Sequence, residues 1–337
     1  MKDIAEASGG LSVAAVSYAL RGAPEVSKET QERVRTIAAQ LGYQPRPEIS
    51  QLASRRWKNR ISSGLKVAYI THASALKNGG RLYNTVKATA LARGFVAEAF
   101  YVEHYPDAGK MANVLNARGI EALVVSPLFQ KEFVENFPWA NFTGINVQTG
   151  YYAPQYSHVF PALLDAGCSA YRIVMSRGYR RIGFAWIREP VEPIDGWEKE
   201  AAYLLSNQLA MKDDITLLTK EFSLDNAFSD FVTWVREHNL DAIIAQTPSF
   251  YNFGITTAGD LQHVGCVCLN VTPAERQYSG FILDFELLLK RAWLELDMQL
   301  RIFQRGIPEA KSCSYVTMPW NEGSTLPSCP RPNGPSL

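Results

Sequence analysis

Lys2-Asp3-Ile4-Ala5-Glu6-Ala7-Ser8, Gly9-Gly10-Leu11-Ser12 and Val13-Ala14-Ala15-Val16-Ser17-Tyr18-Ala19-Leu20 spell a short helix, a tight turn and a second helix. Ser12 stands where a side-chain oxygen caps the second helix, and Gly22 is placed to end it in a left-handed turn. Val16 and Leu20, four residues apart, share its apolar face. Its other side carries Val13, Ala14, Ser17 and Tyr18, which are small or hydroxylated apart from one aromatic ring. A helix this thin, following a turn, suits the helix-turn-helix docking geometry, in which the second helix enters the major groove.

The next residues continue the same unit. Ser27-Lys28-Glu29-Thr30-Gln31-Glu32 opens a third helix with a capping serine and early acids, and Val34, Ile37, Ala38 and Leu41 form its apolar stripe before Gly42. Tyr43-Gln44-Pro45-Arg46-Pro47 then fixes an extended link. Ile49 to Trp57 reads as a short hinge helix running into basic residues.

These motifs resemble the head of the lactose-repressor (LacI/GalR) family of bacterial transcription regulators. The resemblance rests on Lys2-Asp3-Ile4-Ala5, Leu11 to Gly22, Val26-Ser27-Lys28-Glu29-Thr30, Glu32-Arg33-Val34 and Leu41-Gly42-Tyr43-Gln44-Pro45. It implies that Val13, Ala14 and Tyr18 read bases, that Ser12, Ser17 and Ser27 lie near phosphates, and that Arg46 also contacts DNA. Leu52 of the hinge helix would then act as an apolar wedge in the minor groove, a device that kinks the duplex. Several positions depart from the family pattern. The turn before Leu11 carries one extra residue, the chain begins directly at Met1-Lys2, and Ala15 and Ile49 replace a customary threonine and alanine. The alternative these departures raise is a small-molecule binding protein whose head does not read DNA.

Composition agrees with a regulator. The 337 residues, 47% of them apolar, supply more than one core. Net charge is only +1, but residues 1 to 60 hold 10 Lys and Arg against 6 Asp and Glu. Arg55, Arg56, Lys58 and Arg60 fall just past the hinge, where phosphate neutralisation is useful. Cys168, Cys266, Cys268, Cys313 and Cys329 show no CxxC or metal-ligand spacing and read as free cytosolic thiols, with Cys266 and Cys268 on one face of an apolar strand. The amino-terminal segment has no apolar signal core, and no run of about 18 apolar residues occurs, so the expectation is a cytoplasmic protein.

From Leu65 strands and helices alternate. Lys66 to Ile70, Val96 to Val102, Ile120 to Ser126 and Phe142 to Asn146 read as strands, with helices over Tyr83 to Arg93 and Met111 to Arg118. A second cycle starts near Val159, with helices over Leu163 to Arg177, Trp197 to Leu209 and Ala227 to His238, and strands at Arg181 to Trp186, Ile215 to Thr219, Asp241 to Ala245 and Val264 to Leu269. This is an α/β pattern of parallel sheets covered by helices. Two such halves resemble the two-lobed periplasmic-binding-protein-like effector domain of the same family, and Ser176 to Gly183 and Trp320 to Leu326 resemble its mid-domain and closing signatures. The expected organisation is a head at 1–44, hinge and linker at 45–63, and lobe 1 at 64–156 plus about 286–312. Lobe 2 takes 157–285 plus about 313–327, and a tail covers 328–337.

In such a fold a small molecule sits between the lobes at the carboxyl ends of the strands. Arg81 and Tyr83 follow the first strand, Trp186 and Arg188 follow the first strand of the second half, and Tyr251 follows Ala245. Asp284 falls where the family commonly places an acidic effector ligand. Aromatic faces beside a carboxylate suit a sugar ring. The customary arginine near Gly196 is replaced by Pro193, and the customary acid near Val159 is missing. No HExxH, GxSxG or P-loop motif occurs, and the five histidines are scattered, so no enzyme, cofactor or metal is expected. The resemblance further implies a homodimer on twofold operator DNA, a repressor gated by a small effector.

Overall fold

The computed structural model describes residues 2–20, 26–41, 64–73, 81–148, 152–187, 215–223, 225–302 and 304–328, with the backbone alone for Lys2, Ala14, Ser17 and Arg81. The hinge at 45–63, with Arg46 and Leu52, lies outside the described residues, as do Arg188 and the helix expected over 197–209.

The head consists of helices α1 (Lys2–Ala7), α2 (Val13–Leu20) and α3 (Lys28–Gln40). Ile4, Ala5, Val16, Ala19, Val34 and Ala38 bury one small core. The expected α3 stripe holds at Val34 and Ala38, with Ile37 partly buried, but Leu41 is 52% exposed at the helix end.

Two six-stranded sheets make the body. In chain order the strands of the first are β1 (Leu65–Thr71), β2 (Phe95–Tyr101), β3 (Ala122–Val125), β4 (Thr143–Val147), β5 (Ser157–Pro161) and a late strand, Cys313–Val316. The second holds β6 (Arg181–Ile187), β7 (Thr216–Phe222), β8 (Ala242–Ala245), β9 (Gly265–Val271), β10 (Gly280–Ile282) and a last strand, Trp320–Asn321. Cys313–Val316 is β11 and Trp320–Asn321 is β12. The spatial orders are β11-β5-β4-β3-β1-β2 and β12-β10-β9-β8-β6-β7. Every pairing is parallel except β10 with β12. Parallel strands covered on both faces read as unbroken apolar runs, and β3, β4 and β8 are buried at every residue.

Helices α4 (Arg81–Leu91) and α9 (Phe285–Arg301) cover one face of the first sheet, and the Trp293 indole donates to Thr89 Oγ1 at 2.9 Å between them. Helices α5 (Ala108–Ala117) and α6 (Lys131–Asn136) cover the other. On the second sheet, α7 (Leu163–Ser176) covers one face, while α8 (Ala227–Glu237) and the π-helical turn Tyr251–Ile255 cover the other.

The expected boundaries at 157 and 313 shift. Strand 157–161 pairs with β4 and with 313–316, so both strands complete the first sheet, and the chain crosses to the second only after each of them ends. There Val159 and, in part, Val316 pack into the core that α9 covers, and the Phe160 ring stacks on Tyr315 with centroids 5.8 Å apart.

Candidate DNA-reading head and strand-end cleft

The head is set by its turn. Gly9 and Gly10 hold φ of +87° and +77°, where a β-carbon is strained. The Gly9 amide donates to Glu6 O, and the amides of Gly10 and Leu11 both donate to Ala5 O, at 3.1 to 3.2 Å. The two glycines thus satisfy the carbonyls that end α1, in the manner of a left-handed C-cap. The extra turn residue is absorbed, and Val16 and Ala19 of α2 still reach Ile4 and Ala5. Ser12 Oγ accepts from Ala15 N at 3.1 Å and Ser27 Oγ from Thr30 N at 3.3 Å, so both expected caps form. Val13 and Tyr18 are 42% and 49% exposed on α2, and the capping residues Ser12 and Ser27 are exposed as well. The α2 backbone carries Ala14 and Ser17 along the same turns.

In the body, topology brings the strand ends together. β5 leads directly into α7, which packs on the second sheet, β10 leads into α9 on the first, and β11 leads into β12 on the second. Each crossing leaves a strand at its carboxyl end. A helix that follows one strand and precedes the next parallel one starts at that same end, so the carboxyl ends of both sheets meet the crossings.

On the first sheet this rim is polar. Ser126 Oγ donates to Thr71 Oγ1 at 2.8 Å, both buried. Glu103 Oε2 accepts from Ala73 N at 2.8 Å while its Oε1 accepts from Gln130 Nε2 at 2.7 Å. The His72 ring stands edge-on to Phe129 with centroids 4.8 Å apart. Burial lowers the His72 pKa from its ordinary value, against the pull of Glu103. Gln148, just past β4, holds φ of +72°, a strained non-glycine position of the kind that clusters at functional sites.

On the second sheet Trp186 is almost buried and its indole donates to Glu221 Oε1 at 3.3 Å. Gln246 Oε1 accepts from Ile187 N at 3.1 Å. Asn270, near the end of β9, keeps a buried Oδ1 without a hydrogen-bond partner among the described residues. Asp284 caps α9 through its Oδ1 and the Glu286 amide at 2.9 Å, at the crossing itself. Tyr251, half-buried, meets Tyr278 edge-on at 6.0 Å, and burial raises its pKa.

The sequence-predicted residues therefore divide. Trp186, Tyr251 and Asp284 sit at or just after strand ends of the second sheet, and Arg81 opens α4 after β1. Tyr83 has a different task. Its hydroxyl donates to Ala97 O and accepts from Ala99 N, both at 3.4 Å, and so seals the outer edge of β2, the last strand of the sheet. His72, Glu103, Ser126, Gln148, Glu221, Gln246 and Asn270 were missed. Their signal was present: most of them end, or follow within a residue or two, an apolar run already read as a strand.

The chain thus joins a helix-turn-helix head to a body of two mainly parallel sheets crossed three times. Residues 1–46 match the family model for bacterial regulatory proteins, lacI family. The match is confined to the head, and the chain as a whole has the fold of solved LacI-family regulators. The lac repressor dimer bound to operator and the anti-inducer ONPF is similar over 96% of this chain and 97% of its own, with 19% identity and a TM-score of 0.56. A LacI-family regulator from Silicibacter pomeroyi covers 97% and 98% at 17% identity and 0.52. The regulator CelR in complex with cellobiose covers 95% and 97% at 16% and 0.53. No curated protein sequence matches the chain. Among the described residues no helix is long and apolar enough to cross a membrane.

Proposed function

We propose that this protein is a cytoplasmic repressor that binds twofold operator DNA as a homodimer and whose DNA affinity is set by a small, sugar-like effector at the strand ends. The observation that carries the reading is the pairing of two parts in one chain. A capped helix presents Val13 and Tyr18 to solvent, and two sets of strand ends meet three crossings at a polar and aromatic rim. The solved relative with cellobiose bound supports a sugar as ligand.

An exposed apolar strip supports the dimer. Leu91 at the end of α4 and Met298 and Ile302 at the end of α9 are 70%, 57% and 70% exposed on helices that pack side by side. Such a strip on neighbouring helices is a ready contact for a second copy.

Effector binding that favours one arrangement of the strand ends shifts the spacing of the two heads and hence DNA affinity. The test is reciprocity on the full chain. A thermal-shift screen of mono- and disaccharides identifies the ligand, and DNA affinity is then measured with and without it, and ligand affinity with and without DNA. The expected result is the same factor in both directions, on the order of 5- to 150-fold. A bound sugar that leaves DNA affinity unchanged, with DNA leaving sugar affinity unchanged, overturns the gating.

A further inference from the structure

Cys266 and Cys268 lie two residues apart on β9 and point into the same core, with sulfurs 4.0 Å apart. Both are fully buried and both are free thiols. Their backbone is fixed on both sides. Cys266 pairs with Ile243 and Cys268 with Ala245, while the Cys266 amide donates to Thr325 O at 2.7 Å and the Cys268 amide to Ser279 O at 2.9 Å.

This geometry disfavours a disulfide. Next-but-one positions of a strand are about 6.6 Å apart along the chain, whereas a disulfide wants its β-carbons about 3.8 Å apart and its sulfurs about 2.05 Å apart. A single bridging atom fits better, since two sulfur bonds of about 2.3 Å at an angle of about 100° hold the sulfurs about 3.5 Å apart, within about 0.5 Å of the separation here. A structural zinc ion needs four ligands. Among the described residues no group of three or more His, Cys, Asp or Glu is placed to hold a metal ion, so the pair stands as two sulfurs alone.

The surroundings select further. The hydrogen bond with Cys266, and then burial, push the Cys268 thiol well up from its ordinary value, so it stays protonated. A ligand that leaves a charge in this cluster of Phe222, Phe231, Trp234 and Phe250 meets a heavy desolvation cost. A trivalent organoarsenical avoids it. Each thiol forms one sulfur–arsenic bond, the arsenic–oxygen bonds break, both thiol protons leave with the oxygen as one water, and the dithioarsenite product is neutral.

We propose that Cys266 and Cys268 form a buried dithiol site for trivalent arsenicals. Tyr251 and Tyr278 belong to the same packed cluster. Their rings meet edge-on, and the Tyr278 hydroxyl donates to Asn252 Oδ1 at 2.8 Å.

The probe is phenylarsine oxide, added to the reduced full-length protein. The expected result is uptake of one equivalent by the folded chain, with reactive thiols in denaturant falling from five to three. Proteolysis and mass spectrometry place one phenylarsenic group on the peptide that contains both Cys266 and Cys268, a readout that needs no variant. Cys266→Ala and Cys268→Ala each weaken uptake at least about 100-fold, because a single thiol loses the intramolecular second bond. The triple variant Cys168→Ser, Cys313→Ser, Cys329→Ser binds as the parent does. Arsenic found on any other cysteine pair, or uptake only after denaturation, overturns the proposal.

Discussion

Gly10 holds φ of +77° with open space where a β-carbon would stand, so Gly10→Ala meets backbone strain and no clash. The expected cost is about 1–2 kcal/mol, the penalty for an L-residue in the left-handed region, read as lost hydrogen-exchange protection in α1 and α2. Gly144 is the opposite case. A β-carbon there would stand 2.1 Å from the Tyr156 ring, which is pinned through its hydroxyl to Trp139 O at 2.6 Å and Phe142 O at 3.1 Å. Gly144→Ala therefore destabilises the first sheet by about 1–3 kcal/mol or more through overpacking, with the denaturant midpoint as the measure. His158 gives a pH dependence. Burial holds it from 6.5 down to about 4, and Asn146 Nδ2 lies 3.3 Å from its Nδ1. The unfolded chain binds this proton first as pH falls, so stability is complete above about 6.5 and declines toward 4, by up to about 3 kcal/mol. Urea midpoints from pH 7 to 4 should show this slope, and His158→Gln should flatten it. Little at this scale was legible in advance. That Tyr83 spends its hydroxyl on the edge of β2 depends on a strand order that no local pattern carries. Serines 12 and 27 were legible because a cap needs only its own helix.

Among the elements, α9 separates two tasks of one residue. Asp284 caps the helix, so Asp284→Ala costs about 1 kcal/mol of stability, while Asp284→Asn keeps the cap and removes the charge. If Asp284 also contacts the effector, Asn lowers ligand affinity at unchanged melting temperature. Equal ligand affinity in the parent and Asp284→Asn assigns it to the cap alone. Several elements were legible from apolar patterns with a glycine at their end, as at Gly94 after the helix to Arg93 and Gly119 after the helix to Arg118, both of which hold positive φ. The boundary between the sheets was not. The place of β5 and β11 in the first sheet follows from pairing, β5 with β4 and β11 with β5, which no local pattern carries. The rim was half legible for the same reason: a strand end is visible in sequence, but which ends meet is decided by the crossings.

For the whole molecule, the apolar strip of Leu91, Met298 and Ile302 should hold two copies together. Leu91→Glu with Met298→Glu is expected to shift sedimentation from dimer to monomer with the fold retained by circular dichroism. It should also weaken operator binding on the order of 100-fold or more, since two linked heads multiply effective concentration. The two-glycine turn seats α2 against α1, and the proposed function requires that the head so held reads DNA. The most direct test of that claim is selection from a randomised duplex library by the full-length protein, with Tyr18→Ala alongside and binding followed against salt. The account predicts a palindromic site enriched by the parent chain and lost or degraded in Tyr18→Ala, with affinity falling steeply but specifically as salt rises. No enriched site, or identical non-specific retention by both proteins, would contradict it.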